Sequence, residues 1–248
     1  MKKTILIISA IVVLSLAAIG VYILRPSEEA SAPIQATPIA TQTQAAPAIA
    51  TEPQADPTEP SNPQAGEPGL SGTTTYQISQ GESEVRFSLD EILRGKPFRP
   101  VGVTNQVAGE ISLDFDQKQA LAGTVQVNAR TLETDSEFRN RAIHNEILET
   151  DEFEFITFVP SEITGLPQEA VIGEPVQFQI TGDLTIRDVT QQVTFEITAT
   201  LVDESRLEGY GKTTVLRSDY GLTIPSVPSV ADVSDEVLLE IDFVALAS

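Results

Sequence analysis

The sequence predicts an all-β domain, best read as a barrel carrying one helix. Three observations lead there. Apolar residues recur at every second position from Tyr76 to the C-terminus. Turn residues punctuate those runs. One stretch, over about 136–148, abandons the alternation for helical spacing.

The strands come first. Ile111, Leu113 and Phe115 alternate with Ser112 and Asp114, and Val125 and Val127 with Gln126 and Asn128. Phe178 and Ile180 lie between Gln177, Gln179 and Thr181. Val193, Phe195, Ile197, Ala199 and Leu201 hold the period for five steps, and Val237, Leu239, Ile241 and Phe243 for four. A period of two puts one face in the core and one in water, the signature of antiparallel sheets. Turn signals fall at Asp116–Lys118, Gly165–Pro167, Gly173–Pro175 and Asp203–Ser205. The runs 192–202 and 236–245 are long for a sandwich, so about eight strands in this block favour a barrel. In the helical stretch, Thr134 followed by Glu137 reads as a capping box, and Phe138, Ala142 and Ile147 fall near helical spacing.

Upstream, composition divides the chain. Residues 1–25 hold three basic residues and no acid, and Thr4 to Leu24 carry no charge at all. About 20 apolar residues span a bilayer as a helix, whereas a cleaved signal has a shorter apolar run. We expect an uncleaved anchor over 4–24, with Lys2 and Lys3 holding the N-terminus in the cytoplasm and the rest of the chain outside, at the cell surface or in the periplasm. Ala30-Ser31-Ala32 has a cleavage pattern, but Pro33 would follow the cut. Residues 26–75 hold nine of the 16 prolines amid Ala, Thr and Gln, with six acids and no base. Such a segment reads as a disordered, partly polyproline-like linker, with a flexible-coil span of about 40 Å. Residues 76–248 form the folded domain, with 30 acids against 12 bases.

The chemistry is bounded mainly by what is missing. The net charge of -21 argues against nucleic acid as a partner. With no Cys there is no disulfide, thiolate metal site or Cys nucleophile, and a single His rules out any site needing two imidazoles. His144 reads as structural, because no partner of catalytic or metal-binding geometry is visible. The acidic clusters at 149–154 and 232–236 read as solvated turns, without Ca²⁺-loop spacing. No nucleophile elbow, P-loop or dinucleotide fingerprint occurs, so the protein reads as a non-enzyme, with no catalytic residue, metal or cofactor. Phe87, Phe153, Phe155, Phe158, Phe178, Phe195 and Phe243 lie in or beside strands. They serve equally as a packed core or as the lining of an apolar cavity.

Four segments together resemble the YceI-like family of bacterial exported proteins. Gly182-Asp183-Leu184-Thr185-Ile186-Arg187-Asp188-Val189-Thr190 is close to the family's G-D-L-T-I-[RH]-G-V-T. Leu148–Phe158 resembles L-E-T-D-x-[YF]-P-x-[AI]-T-F, Arg217–Gly221 resembles R-S-D-[FY]-G, and Val233–Val237 matches V-S-D-E-V. Asp188 stands for the usual Gly, Glu154 for the usual Pro, and Leu89-Asp90-Glu91 where an early His is usual. The resemblance spans about 74–247. It implies an extended, lipocalin-like, eight-stranded antiparallel barrel that binds polyisoprenoid chains, such as quinone tails, in its interior. The expected lining, taken from one-faced strand positions, is Phe87, Leu89, Ile111, Leu113, Val125, Val127, Phe158, Phe178, Ile180, Phe195, Ile197, Leu239 and Ile241. The partners expected are a lipid ligand and, through residues 4–24, the membrane. Nothing asks for a dimer, although barrel edges could support one. The alternative is a surface interaction module whose barrel is fully packed and holds no ligand.

Overall fold

A computed structural model describes residues 29–31, 33–39, 71–167 and 171–248. The apolar run 4–24 lies outside the described residues, as does most of the linker. Among the described residues, no helix is long and apolar enough to cross a membrane.

Fifteen strands follow one another: β1 Thr73–Ile78, β2 Glu84–Ser88, β3 Glu91–Leu93, β4 Lys96–Phe98, β5 Val101–Thr104, β6 Val107–Ala108, β7 Glu110–Asp114, β8 Gln119–Ala122, β9 Val125–Asn128, β10 Phe155–Thr164, β11 Pro175–Ile186, β12 Val189–Asp203, β13 Arg206–Leu216, β14 Val230–Ala231 and β15 Glu236–Ala247. Helix α1, Glu137–Ala142, separates β9 from β10. Twelve of the strands form one antiparallel sheet, in the order β6-β9-β10-β11-β12-β13-β15-β1-β7-β8, with β2 on β15 and β5 on β2. β14, β3 and β4 form a separate small sheet.

The large sheet curls. Its path begins at β6 and comes round to β7, and these two are halves of one run of chain bent at Gly109. The Gly109 carbonyl accepts from Ile78 N at 3.0 Å. A Cβ on Gly109 would crowd Ile78 and Val125, at 3.1 and 3.2 Å. The expectation of about eight strands therefore needs correcting. The long half, β10 to β13 with β15, follows the alternation, while bends divide the N-terminal half into short pieces.

The alternation sets the register. Across β11 and β12, Phe178 faces Ile197 and Ile180 faces Phe195, with every intervening polar residue on the other face. That outer face carries Thr181–Thr194 and Thr185–Thr190 hydroxyl pairs, each at 2.8 Å. On β13 the inward positions opposite Phe243 and Ile241 are Gly209 and Gly211. A side chain at Gly209 would overlap the Phe243 ring, and one at Gly211 would meet Ile197 at 2.6 Å. These glycines make room for larger neighbours.

The helix forms where expected, with a different cap. Ser136 accepts from Arg139 N and caps α1, while Thr134 is occupied by Asn140, whose Oδ1 accepts from both its N–H and its hydroxyl. After Ala142 the helix widens over Ile143–Ile147, with Leu148 N bonded to Ile143 O at 2.8 Å. Two hydrophobic clusters result. One, at the helix end, contains Ala129, Leu132, Ile143, Leu148, Phe158, Leu184, Ile186, Val215 and Tyr220. The other, at the far end, contains Tyr76, Ile197, Ala199, Leu201, Leu207, Phe243 and Ala245.

Candidate functional site: an apolar cavity inside the curled sheet

Between the two clusters lies a cavity of about 1090 Å³. That is at the upper end of ordinary ligand sites, which run to about 1,000 Å³. The sheet positions its walls directly, because inward residues on neighbouring strands stack in layers. Phe87 on β2 and Leu89 just after it line the cavity. So do Ile111 and Leu113 on β7, Val125 and Val127 on β9, and Phe158 on β10. Phe178 and Ile180 on β11, Phe195 and Ile197 on β12, and Leu239 and Ile241 on β15 complete the thirteen positions named from the sequence. The structure brings all thirteen to one space.

Ile180 and Phe195, partners across β11 and β12, touch both clusters and so mark the middle of the cavity. The Phe195 ring meets Phe158 edge-on, with centroids 5.0 Å apart. The lining extends beyond the thirteen. Leu184, Ile186, Leu201, Val215 and Phe243 continue the same inward faces, so longer use of the alternation would have found them. Phe138, Ile147, Leu222, Ile224 and Val227 come from the helix and the 221–229 loop, where period two gives no signal.

At each end, lining residues reach the surface. Phe138 is 52% exposed at the helix end, and Leu121 and Val171 are 56% and 55% exposed at the far end.

Polar groups gather at the helix end. His144 is buried, and its Nε2–H donates to Leu132 O at 2.8 Å, a structural role. Arg139 lines the cavity, pairs with Asp135 and with buried Glu91 at 3.2 Å, and lies 5.4 Å from the Phe98 ring centre. Tyr220 is 2% exposed, and its hydroxyl has no hydrogen-bond partner among the described residues. Burial, reinforced by nearby Asp219, pushes its phenol up to about 12.

The acidic clusters are tied down. Glu154, in the first, pairs with Arg130 at 3.2 Å and accepts from Asn128 Nδ2 at 2.9 Å. Burial works to raise its carboxyl. The donors from Ser31, Asn128 and Arg130 outweigh that and hold it below the usual range. Asp235, in the second, accepts from the Ser218 hydroxyl and backbone N–H. Among the described residues no three His, Cys, Asp or Glu side chains come together as a metal site. The cavity can hold an apolar molecule by shape and burial.

Known proteins place this arrangement. The model of the YceI-like domain matches residues 76–245. A UPF0312 protein of Shewanella sp. (strain ANA-3) is 29% identical over 148 residues, which is 56% of this chain and 73% of that protein. A UPF0312 protein of Staphylococcus aureus (strain MRSA252) is 23% identical over 156 residues, 60% of this chain and 82% of its own. Among solved structures, a polyisoprenoid binding domain from Saccharophagus degradans, implicated in plant cell wall breakdown, superposes with a TM-score of 0.55 at 12% identity, covering 70% of this chain and 98% of its own. BcnA of Burkholderia cenocepacia gives 0.52 at 19% identity, with 67% and 98% covered. At those identities the superpositions speak for the fold alone. The family match covers most of the chain, and this protein belongs to the YceI-like family.

Proposed function

We propose that the protein binds a long apolar lipid, an isoprenoid or a molecule with an isoprenoid tail, inside its curled sheet. The sheet then acts as an extended lipocalin-like barrel, held outside the cytoplasm by a membrane anchor at residues 4–24. The observation that carries this reading is the convergence of thirteen apolar strand positions on one cavity of about 1090 Å³. The polyisoprenoid-binding domain with the same fold supports the choice of ligand class. The energetics fit as well. Each CH₂ taken from water contributes about 0.8 kcal/mol, so a long chain needs no polar anchor to be held. A fully packed interior does not fit a cavity of this size.

The role is carriage or sequestration, not catalysis. The acidic exterior keeps a protein with a greasy interior soluble. Organic extraction of the full-length protein, purified from its native membrane in mild detergent, tests the reading by mass spectrometry. A prenylated lipid recovered near one per chain is expected. Extracts free of any isoprenoid would overturn the proposal.

A further inference from the structure

Part of the linker is laid onto the domain. Glu29–Ser31 and 33–39 run along its outside, with Ile34, Ala36 and Ile39 half-buried and Pro33, Gln35, Thr37 and Pro38 exposed. Two carboxylates hold the segment by its backbone. Glu154 accepts from Ser31 N at 2.7 Å and from Ser31 Oγ at 2.6 Å. Glu110, 6% exposed, accepts from Ile39 N at 2.9 Å. Between them, Gln80 Nε2 donates to Ile34 O at 2.6 Å, and just before Ser31 Arg130 Nη1 donates to Glu29 O at 3.3 Å. Ile39 packs against Gly123, where a Cβ would come within 3.0 Å of it. Behind the first contact, the Arg130 and Glu154 side chains are only 9% and 12% exposed. This is a built seat rather than a brush of chain against surface.

We infer that residues 29–31 and 33–39 form a strap that holds the helix end of the domain, with its Phe138 mouth, against the bilayer carrying the anchor. The inference rests on the anchor proposed above. Only Arg25, Pro26, Ser27 and Glu28 separate Leu24 from Glu29. At about 3.3–3.6 Å per residue, those steps reach no more than roughly 18 Å. Arg130, where Glu29 is seated, also donates to Thr150 O and Asp151 O, just past the helical segment. Glu29, seated on Arg130, is therefore tied within about 18 Å of the end of the apolar run, well inside the roughly 40 Å of a free linker, and that seat adjoins the end of the helical segment. Phe138, the exposed lining residue on the same helical cap, then faces a source of lipid. A cut after Ala32 would remove Glu29 and Ser31 from the seat, so the strap requires the uncut chain.

The chain has no Cys, so single-cysteine labels are straightforward. Glu137→Cys puts a fluorophore at the helix end, and Gln117→Cys puts one in the β7–β8 turn at the far end. Full-length protein is reconstituted into phosphatidylethanolamine–phosphatidylglycerol vesicles containing nitroxide-headgroup lipid. Flotation with the vesicles checks the anchor separately, and protein that stays at the bottom of the gradient overturns both the anchor and the strap's role. For protein that floats, quenching at position 137 is expected to exceed that at 117 at least threefold. Replacing 29–39 by a Gly-Ser segment of equal length should make the two equal. Ser31→Pro, which removes both donors to Glu154 and leaves the domain untouched, should shift them the same way. Equal quenching with the native strap, or a difference that survives both changes, would overturn the inference without touching the lipid reading.

Discussion

The two ends of the cavity are built on different principles. The far end is made of strands packed on strands. Phe243 lies over Gly209, Ile197 over Gly211, and Ala199, Leu201, Leu207 and Ala245 fill the remainder. Its one buried phenol is satisfied, Tyr76 Oη donating to Glu204 O at 3.0 Å. The helix end is a cap of short helical turns and loops over a polar layer. Asn128, Asn140, His144, Asn145 and Thr150 are all buried there. Strand ladders satisfy their own backbone, whereas a cap of turns must borrow side chains to do it. The far end should accordingly behave as the cooperative core. The helix end should open locally, at lower cost, where lipid would pass.

The comparison can be broken most forcefully at the far end. Phe243→Ala empties the space over Gly209 and should cost about 3–5 kcal/mol in urea unfolding. Protection from hydrogen exchange should fall throughout the sheet. Loss confined to β13 and β15 would deny that this end governs global stability.

His144→Ala is the matching cut at the helix end. It leaves Leu132 O without its donor inside the cap, at a cost of about 1–3 kcal/mol. Exchange should quicken over 129–150 while β11 to β13 keep their protection. A uniform rise would mean that the cap and the sheet open together.

Tyr220→Phe sharpens the same contrast with the opposite sign. Removing a buried hydroxyl that has no partner should raise stability by about 1 kcal/mol. A loss of that size would show that the hydroxyl finds a partner after all.

The smallest effect concerns the strap. The Glu154 carboxyl is held below its ordinary value of 4.5 by the donors gathered on it, against the opposing pull of burial. A depressed acid stabilises the docked state above that ordinary value, and the stabilisation fades as pH falls through the depressed one. Losing the Ser31 donors raises that carboxyl, so cleavage by an acid-active protease within the strap should increase as pH falls through the range where Glu154 takes up its proton. Glu154→Gln should give cleavage that no longer varies over that range. Release of the native strap at neutral pH would assign its docking to another group.

These contrasts also explain what the sequence made legible. Strand period two is a local property, so β11, β12 and β15 could be read directly, and the inward residues followed. The thirteen lining positions converge because alternation around a curled sheet has only one inside. What could not be read depends on distant partners. Gly209 and Gly211 look like weak strand residues until Phe243 and Ile197 are seen above them. Arg130 and Glu154 are far apart in sequence, and the acidic cluster around Glu154 reads as solvated until its cation is placed. The strap was hidden by composition, since Pro, Ala, Thr and Gln carry no period and its hold is backbone hydrogen bonding. The helix cap lies at Ser136, two residues past the capping box that the sequence suggests, because Thr134, a good cap by type, serves Asn140 instead.

The central claim, a lipid held across the middle of the cavity, is most directly tested at Ile180. Ile180 touches both clusters, so Ile180→Trp would block the cavity where it joins the two ends. Native mass spectrometry of the full chain released from its membrane gives the measurement. The account predicts a lipid adduct near one per chain in the wild type, and its loss in the variant with an unchanged circular dichroism spectrum. A wild-type chain without adduct, or an adduct retained equally in both, would contradict it.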